Sequence, residues 1–408
     1  MQRSASLVGL IAGALLLGCA AAEERYCKLS ESRAVASTES KVIDGVALVA
    51  HGEGAVLAWS DASGTFAREL DAQGKPAGAA TRLMARCDGG VALASSRAGL
   101  ALACVERAKA REIGEPGSAI VASIARGQAG LVATELKRYA PAGTLSEGVA
   151  LAWTDPQEGR GRPQLALAWH DASPDVHRIQ FVGDVHASAS PRVLSNIASV
   201  AYAPALIAEG EEILATFHER IARGGALESN VMLWSNGARS AADQGPAVAI
   251  VSARDDTGET QPIHPFPQLA MLDGQLVLGY RAPGRGARKP GLHVTNVESA
   301  LAGAPPKVHA GTRVGRADGV GRPTLLACMD GFVTATPRSY SGDYFIGLNW
   351  LSRDFTRPRR EQQFYEDARA FTQAASACLG PRALIALAEL PQLDRAQAEL
   401  HVAAYTCE

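Results

Sequence analysis

Residues 45–83 read GVALVAHGEGAVLAWSDASGTFARELDAQGKPAGAATRL. Two short apolar runs, Gly45–Ala50 and Ala55–Trp59, flank a tight glycine-containing turn; an alternating run, Phe66–Leu70, follows, then a turn over Asp71–Gly78 and a last short run. Period-two patterning bounded by turn residues predicts strands, and two such runs across a short Gly turn predict a hairpin. The stretch reads as four strands of one small antiparallel sheet.

Its first half recurs as GVALASSRAGLALAC at 90–104, PALIAEGEEILATF at 204–217, PQLAMLDGQLVLGY at 267–280, PTLLACMDGFVTAT at 323–336 and AASACLGPRALIAL at 374–387. A looser copy joins Gly130–Glu135 to Gly148–Trp153, which makes seven copies. Third and fourth strands are expected at Ala108–Ile113 and Ala119–Ile124, Gln164–Trp169 and His177–Val182, Asn230–Trp234 and Ala247–Ser252, Leu292–Val297 and near Val308, then Tyr344–Leu351 and Gln362–Tyr365. The polar segment from Gly183 to Ala203 is the longest connection between copies, and such long loops tend to be functional or mobile. The seventh copy ends with its third strand, Glu399–Thr406, one strand short. An open edge invites association with other chains, so residues 25–35 are expected to supply the missing strand. A fixed repeat of this kind outweighs the length prior for several domains. The expected fold is all-β, a seven-bladed β-propeller of four-stranded antiparallel blades closed by an N-terminal strand.

Hydrophobic residues make up 47% of the 408, which is ample for a large core, and charged residues 20%. Lys plus Arg number 40 against 42 Asp plus Glu, interspersed and without a basic stripe, so the clustered footprint of a nucleic-acid binder is absent. The five tryptophans are expected to pack between blades, Trp59 and Trp153 ending second strands, Trp169, Trp234 and Trp350 ending third strands.

The N-terminus carries Arg3, then an apolar run, Leu7–Leu17, too short to span a bilayer as a mature helix. It reads as an export signal. The junction Leu16-Leu17-Gly18-Cys19 resembles the bacterial lipobox. That resemblance implies removal of residues 1–18, acylation of Cys19 and, with Ala20 in place of the retention aspartate, an outer-membrane anchor. An ordinary signal peptide cut near Ala20–Ala22 is the alternative. Residues 19–41 are then the lipidated N-terminus with the ring-closing strand, and 42–408 the propeller. Firm anchoring fits the multiple chains of a lipoprotein.

Removing Cys19 leaves six cysteines, an even number suited to an oxidising compartment. Cys27 and Cys407 lie at the two chain ends, Cys87 and Cys104 flank a hairpin, and Cys328 and Cys378 fall at equivalent places in successive copies. The expected bridges are 27–407, 87–104 and 328–378, with free buried thiols as the alternative for the two internal pairs.

The copies resemble the β-propellers of bacterial exported proteins, and turns such as Asp71-Ala72-Gln73-Gly74-Lys75-Pro76 are similar to those of cell-surface lipoproteins from high-GC genomes. The Gly-His…Trp-Asp pairing of WD40 repeats and the kelch double glycine are absent. Ser60–Phe66 resembles a sialidase Asp-box, but Gly64 stands three residues after Asp61 rather than two, and no other copy repeats it.

His170-Asp171 and His218-Glu219 are the tight His–acid pairs; both read as polar turn residues, and no spacing here assembles a metal set or calls for a cofactor. Polar residues recur after the second strand of each copy: Asp61, Glu106, Asp155, His218 with Glu219, Arg281, Arg338 and Glu389. In a propeller these form one rim, where binding sites are built from loops on a rigid frame. The leading expectation is a non-enzymatic binding or scaffold propeller, anchored in the membrane through its lipid, with an envelope protein or glycan partner. The alternative is a propeller hydrolase or lyase acting on extracellular glycan through residues such as Asp155, His218, Glu219 and Arg338. A third is a structural subunit of an envelope complex.

Overall fold

The computed structural model describes residues 27–38, 40, 42–107, 117–143, 148–156, 161–173, 176–223, 226–236, 247–255, 266–282, 291–298, 307–309, 311–316, 321–340, 343–355, 362–364, 370–390 and 397–407. The expected signal segment, Cys19 and the expected strand Ala108–Ile113 lie outside them. Among the described residues all regular elements are β-strands, and no helix is long and apolar enough to cross a membrane.

Strands β1 (Cys27–Leu29) and β2 (Arg33–Ser37) precede the repeats. The first sheet runs β3 (Ile43–His51), β4 (Gly54–Asp61), β5 (Gly64–Leu70), β6 (Thr81–Met84), and the second β7 (Cys87–Ser96), β8 (Gly99–Glu106), β9 (Gly117–Gly127), β10 (Gly130–Ala142). A third set, β11 (Val149–Trp153), β12 (Leu165–Ser173), β13 (Val176–Val182) and β14 (Arg192–Val193), is followed by a fourth, β15 (Val200–Glu209), β16 (Glu212–Arg223), β17 (Ala226–Ser235) and β18 (Val248–Asp255). The hydrogen-bonded ladders of these two sets meet at a parallel bridge from His177 to Val200. Next comes β19 (Gln268–Leu272), β20 (Gln275–Ala282) and β21 (Gly291–Glu298), the last pairing with both β22 (Lys307–Val308) and β23 (Thr312–Arg316). Then come β24 (Thr324–Cys328), β25 (Gly331–Tyr340), β26 (Asp343–Ser352) and β27 (Gln362–Phe364). The last sheet holds β28 (Ala370–Leu379), β29 (Arg382–Leu390) and β30 (Glu399–Cys407), and the outer edge of β30 is covered by β1 and β2, with Cys27 opposite Cys407 and Arg33 opposite Val402.

The third copy differs from the sequence reading. Gly130 adopts φ 126° and closes a tight turn with Gly127, so Gly130–Ala142 folds back on β9 as the fourth strand of the second sheet. The third set then starts at Val149, and Gln164–Trp169 and His177–Val182 supply its second and third strands instead of its third and fourth. Trp153 accordingly ends a first strand and Trp169 sits in a second one. Local pairing across a short turn costs less closure entropy than the long loop the repeat alignment required.

Second strands such as β4 and β8 are buried almost throughout instead of on alternate residues, because both faces of each sheet are covered. Leu57 and Trp59 of β4 pack with Leu384, Ala386 and Val402 of the last sheet, whereas Val56 and Ala58 pack with Leu100, Leu102 and Ile120 of the second. The same alternation continues from set to set, through Val121 with Leu165, Ala166 with Phe217, Leu214 with Leu276, Val277 with Phe332 and Val333 with Ile385. First strands touch in the same order, β3 with β7, β7 with β11, β11 with β15, β15 with β19, β19 with β24, β24 with β28, and β28 with β3. Trp59, Trp169, Trp234 and Trp350 are buried in these layers, Trp59 stacked on Phe66 and Trp169 on Tyr139.

The expected disulfides are present: Cys27–Cys407, Cys87–Cys104 and Cys328–Cys378. Three structural bridges mark an exported, non-cytoplasmic protein.

Candidate active site

The chemistry gathers where β15 enters the fourth set. The pairing of β15 with β16 breaks register between Tyr202 and Ala205, and Ala203 takes φ 54°. Such a bulge re-aims the adjacent side chain, here Tyr202. The bulge is held from two sheets away, by Arg322 Nη2 donating to the carbonyl of Pro204 at 3.0 Å.

Tyr202 stands edge-on to two imidazoles, that of His218 at 5.0 Å between ring centroids and that of His170 at 6.1 Å. Arg220 Nη1 donates to the Tyr202 hydroxyl at 3.4 Å. His170 stacks on His177 at 5.3 Å, with Nε2 of the first 3.1 Å from Nδ1 of the second. His218 Nε2 lies 2.7 Å from the Ser229 hydroxyl. His170 and His218 hold the same place in successive sheets, each following the residue, Trp169 or Phe217, that packs onto the preceding sheet. Both are buried, while Tyr202, His177 and Arg220 are half-buried and form the accessible side of the cluster. Space for the His170 ring depends on Gly143, where a Cβ would stand 2.5 Å from Nδ1.

Burial, reinforced by the neighbouring His177 and opposed by Asp171, lowers the His170 pKa to about 4 from its usual 6.5. The ring is therefore neutral at neutral pH. The two rings share one hydrogen bond between His170 Nε2 and His177 Nδ1; in the tautomer where His177 donates from Nδ1, its Nε2 keeps a lone pair. Because the folded pKa lies below the unfolded one, the unfolded chain binds more protons between them, and stability falls as pH drops from about 6.5 to about 4. The expected loss is about 3 kcal/mol. Urea unfolding across this window measures it, and His170→Gln should flatten the dependence; an unchanged slope in the variant contradicts the assignment.

The rim residues and the acids of the His–acid pairs fall into different settings. Asp61 accepts from the backbone N–H and the hydroxyl of Ser63. Glu106 pairs with Arg138 and Arg86. Asp171 accepts from Gln180 Nε2 at 3.2 Å. Glu219 is fully buried and accepts from the Asn196 N–H and the Ser199 hydroxyl, both at 2.7 Å, so it pins the connection leading into β15 and Tyr202. Arg281 and Arg338 lie buried over Phe266 and Phe345, and Glu389 is buried beside His401.

Asp155 is a correction. It follows the first strand of its set, lies exposed, and pairs with Arg97 of the β7–β8 turn at 2.8 Å while its N–H reaches Gly210 of the β15–β16 turn. Those turns sit at the opposite end of the strands from Asp61. The His–acid pairs are a second correction: they are buried in strands, not in exposed turns. Sequence reading missed Tyr202, His177 and Arg220; the long polar connection ending at Ala203 was the available signal.

No family model and no curated protein matches the chain. Among solved structures, a polysaccharide lyase of family PL25, an ulvan lyase bound to -[GlcA(1-4)Rha3S]-, is similar with a TM-score of 0.54 at 13% identity, covering 90% of this chain and 95% of that one. The polysaccharide lyase Uly1 is similar with a TM-score of 0.52 at 9% identity, covering 92% and 99%. At such identities the likeness is one of fold, and it places this chain among proteins of propeller-like architecture.

Proposed function

We propose that this chain is an exported seven-bladed propeller that cleaves an acidic polysaccharide at a uronate by β-elimination. The observation that carries the reading is Tyr202, set between His170 and His218 with Arg220 on its hydroxyl. Elimination needs a cation or donors on the uronate carboxylate, a base for the proton on the adjacent ring carbon, and an acid for the departing glycosidic oxygen. In this reading Arg220 faces the carboxylate and His177, backed by neutral His170, takes the proton. As the carbon–carbon double bond forms and the carbon–oxygen bond breaks, Tyr202 protonates the leaving oxygen. No water is consumed.

Polysaccharide lyases of this fold, one of them bound to a glucuronate-bearing glycan, make the scaffold compatible with this chemistry. The expectation of a purely binding propeller gains no comparable support. Incubation with uronate-bearing and neutral polysaccharides tests the substrate class: viscosity should fall only with the former, and should stop falling once the carboxyls are reduced to alcohols. Depolymerisation of neutral polymers overturns it.

The seven-blade reading is supported by the cyclic order of first-strand contacts and by core layers that return from the last sheet to the first. The anchoring proposal rests on the Leu16–Cys19 junction. Cys19→Ser should move the protein from the membrane to the soluble envelope fraction; a variant that stays membrane-bound contradicts acylation there.

A further inference from the structure

A second polar cluster lies on the last sheet. Glu399 and His401 are two residues apart on β30 and so share a face. The register of β29 against β30, with Ala388 opposite Leu400, brings Glu389 beside them. His401 Nε2 stands 3.2 Å from Glu399 Oε2 and 3.6 Å from Glu389 Oε2, and the three donor atoms lie within 4.8 Å of one another. The side chains of Glu389 and His401 are each 1% exposed, whereas that of Glu399 is 33% exposed.

We infer that Glu389, Glu399 and His401 form a binding site for a divalent transition-metal cation such as zinc. Zinc bonds of about 2.0–2.2 Å to nitrogen and oxygen put neighbouring donors roughly 3–3.5 Å apart, close to the two spacings around His401. One nitrogen and two oxygens suit zinc and its neighbours better than calcium or magnesium, which favour all-oxygen sets. Three protein ligands leave a coordination position open, and half-buried Glu399 supplies the entry edge. The ion would tie β29 to β30, the strand whose far edge receives β1 and β2.

The test is independent of any glycan cleavage. Tag-free protein, stripped with a chelator, is titrated with zinc chloride by calorimetry and melted with and without the ion. Binding of one zinc per chain with a raised melting temperature is expected. Glu399→Gln and His401→Gln should each weaken binding by at least about tenfold and abolish the rise. Absence of zinc binding, or binding unchanged in both variants, overturns the site in favour of a buried ionic triad or ions held elsewhere. Should His401→Gln fail to fold, Glu399→Gln at the solvent edge decides alone.

Discussion

Replacing Tyr202 by Phe is expected to lower the turnover of uronate-polymer cleavage by about 10²-fold or more while the melting temperature stays close to that of the parent. The substitution removes one oxygen from a half-buried ring and keeps the ring's packing between His170 and His218. Loss of the acid that protonates the leaving oxygen falls on kcat, because that transfer takes place in the transition state; KM should move little. His177→Gln should lose activity similarly, whereas Asp155→Asn, at the far end of the strands, should leave it intact. Full activity in Tyr202→Phe would remove the hydroxyl from the mechanism.

The second large effect concerns the N-terminal seam. The Cys27–Cys407 bridge closes a sequence separation of 380, against 17 for Cys87–Cys104. On the chain-entropy account, loops of these lengths correspond to about 6 and about 3 kcal/mol of stabilisation. Opening the first bridge by Cys27→Ser with Cys407→Ser should therefore cost more than opening the second. Deleting residues 27–37 should cost more again, because it strips β1 and β2 from β30, exposes the core around Val35, and abolishes contacts from two neighbouring sheets. Those contacts are Arg68 to the Val35 carbonyl and Gln362 to the Cys27 carbonyl. Chemical denaturation of the three proteins ranks them. Equal stability of the deletion and the parent would show that the seam does not hold the domain together.

Much of this architecture is legible in the chain, because a hairpin is a local object. Runs such as Ala55–Trp59 and Leu384–Leu387 carry their apolar residues continuously, the mark of strands covered on both faces, and glycine turns punctuate them. The terminal cysteines and the missing last strand point to the seam. Gly130–Glu135 misleads because its apolar residues look like those of an inner strand, although β10 is largely exposed; its partner is decided by the turn at Gly127–Gly130, a matter of backbone conformation.

The candidate site is less legible. His170 and His218 stand out as residues, but whether they lie in a turn or under a neighbouring sheet depends on packing. Tyr202 reaches them only through a bulge at Ala203 and a hydrogen bond from Arg322, more than a hundred residues away in the chain. Glu389 meets His401 through strand register. Glu399-x-His401 shows the same-face spacing on its own, yet a two-residue pattern without its third partner does not stand out from the many polar pairs of the chain.

The most direct test of the central claim is the mass of the product ends. A uronate-bearing polysaccharide is digested with the purified protein and the oligosaccharides are weighed by mass spectrometry. Elimination predicts new non-reducing ends one water lighter than hydrolysis would leave, with the ultraviolet absorbance of an unsaturated uronate rising in step. Products carrying the added water, with no such absorbance, would contradict β-elimination and make the propeller a hydrolase.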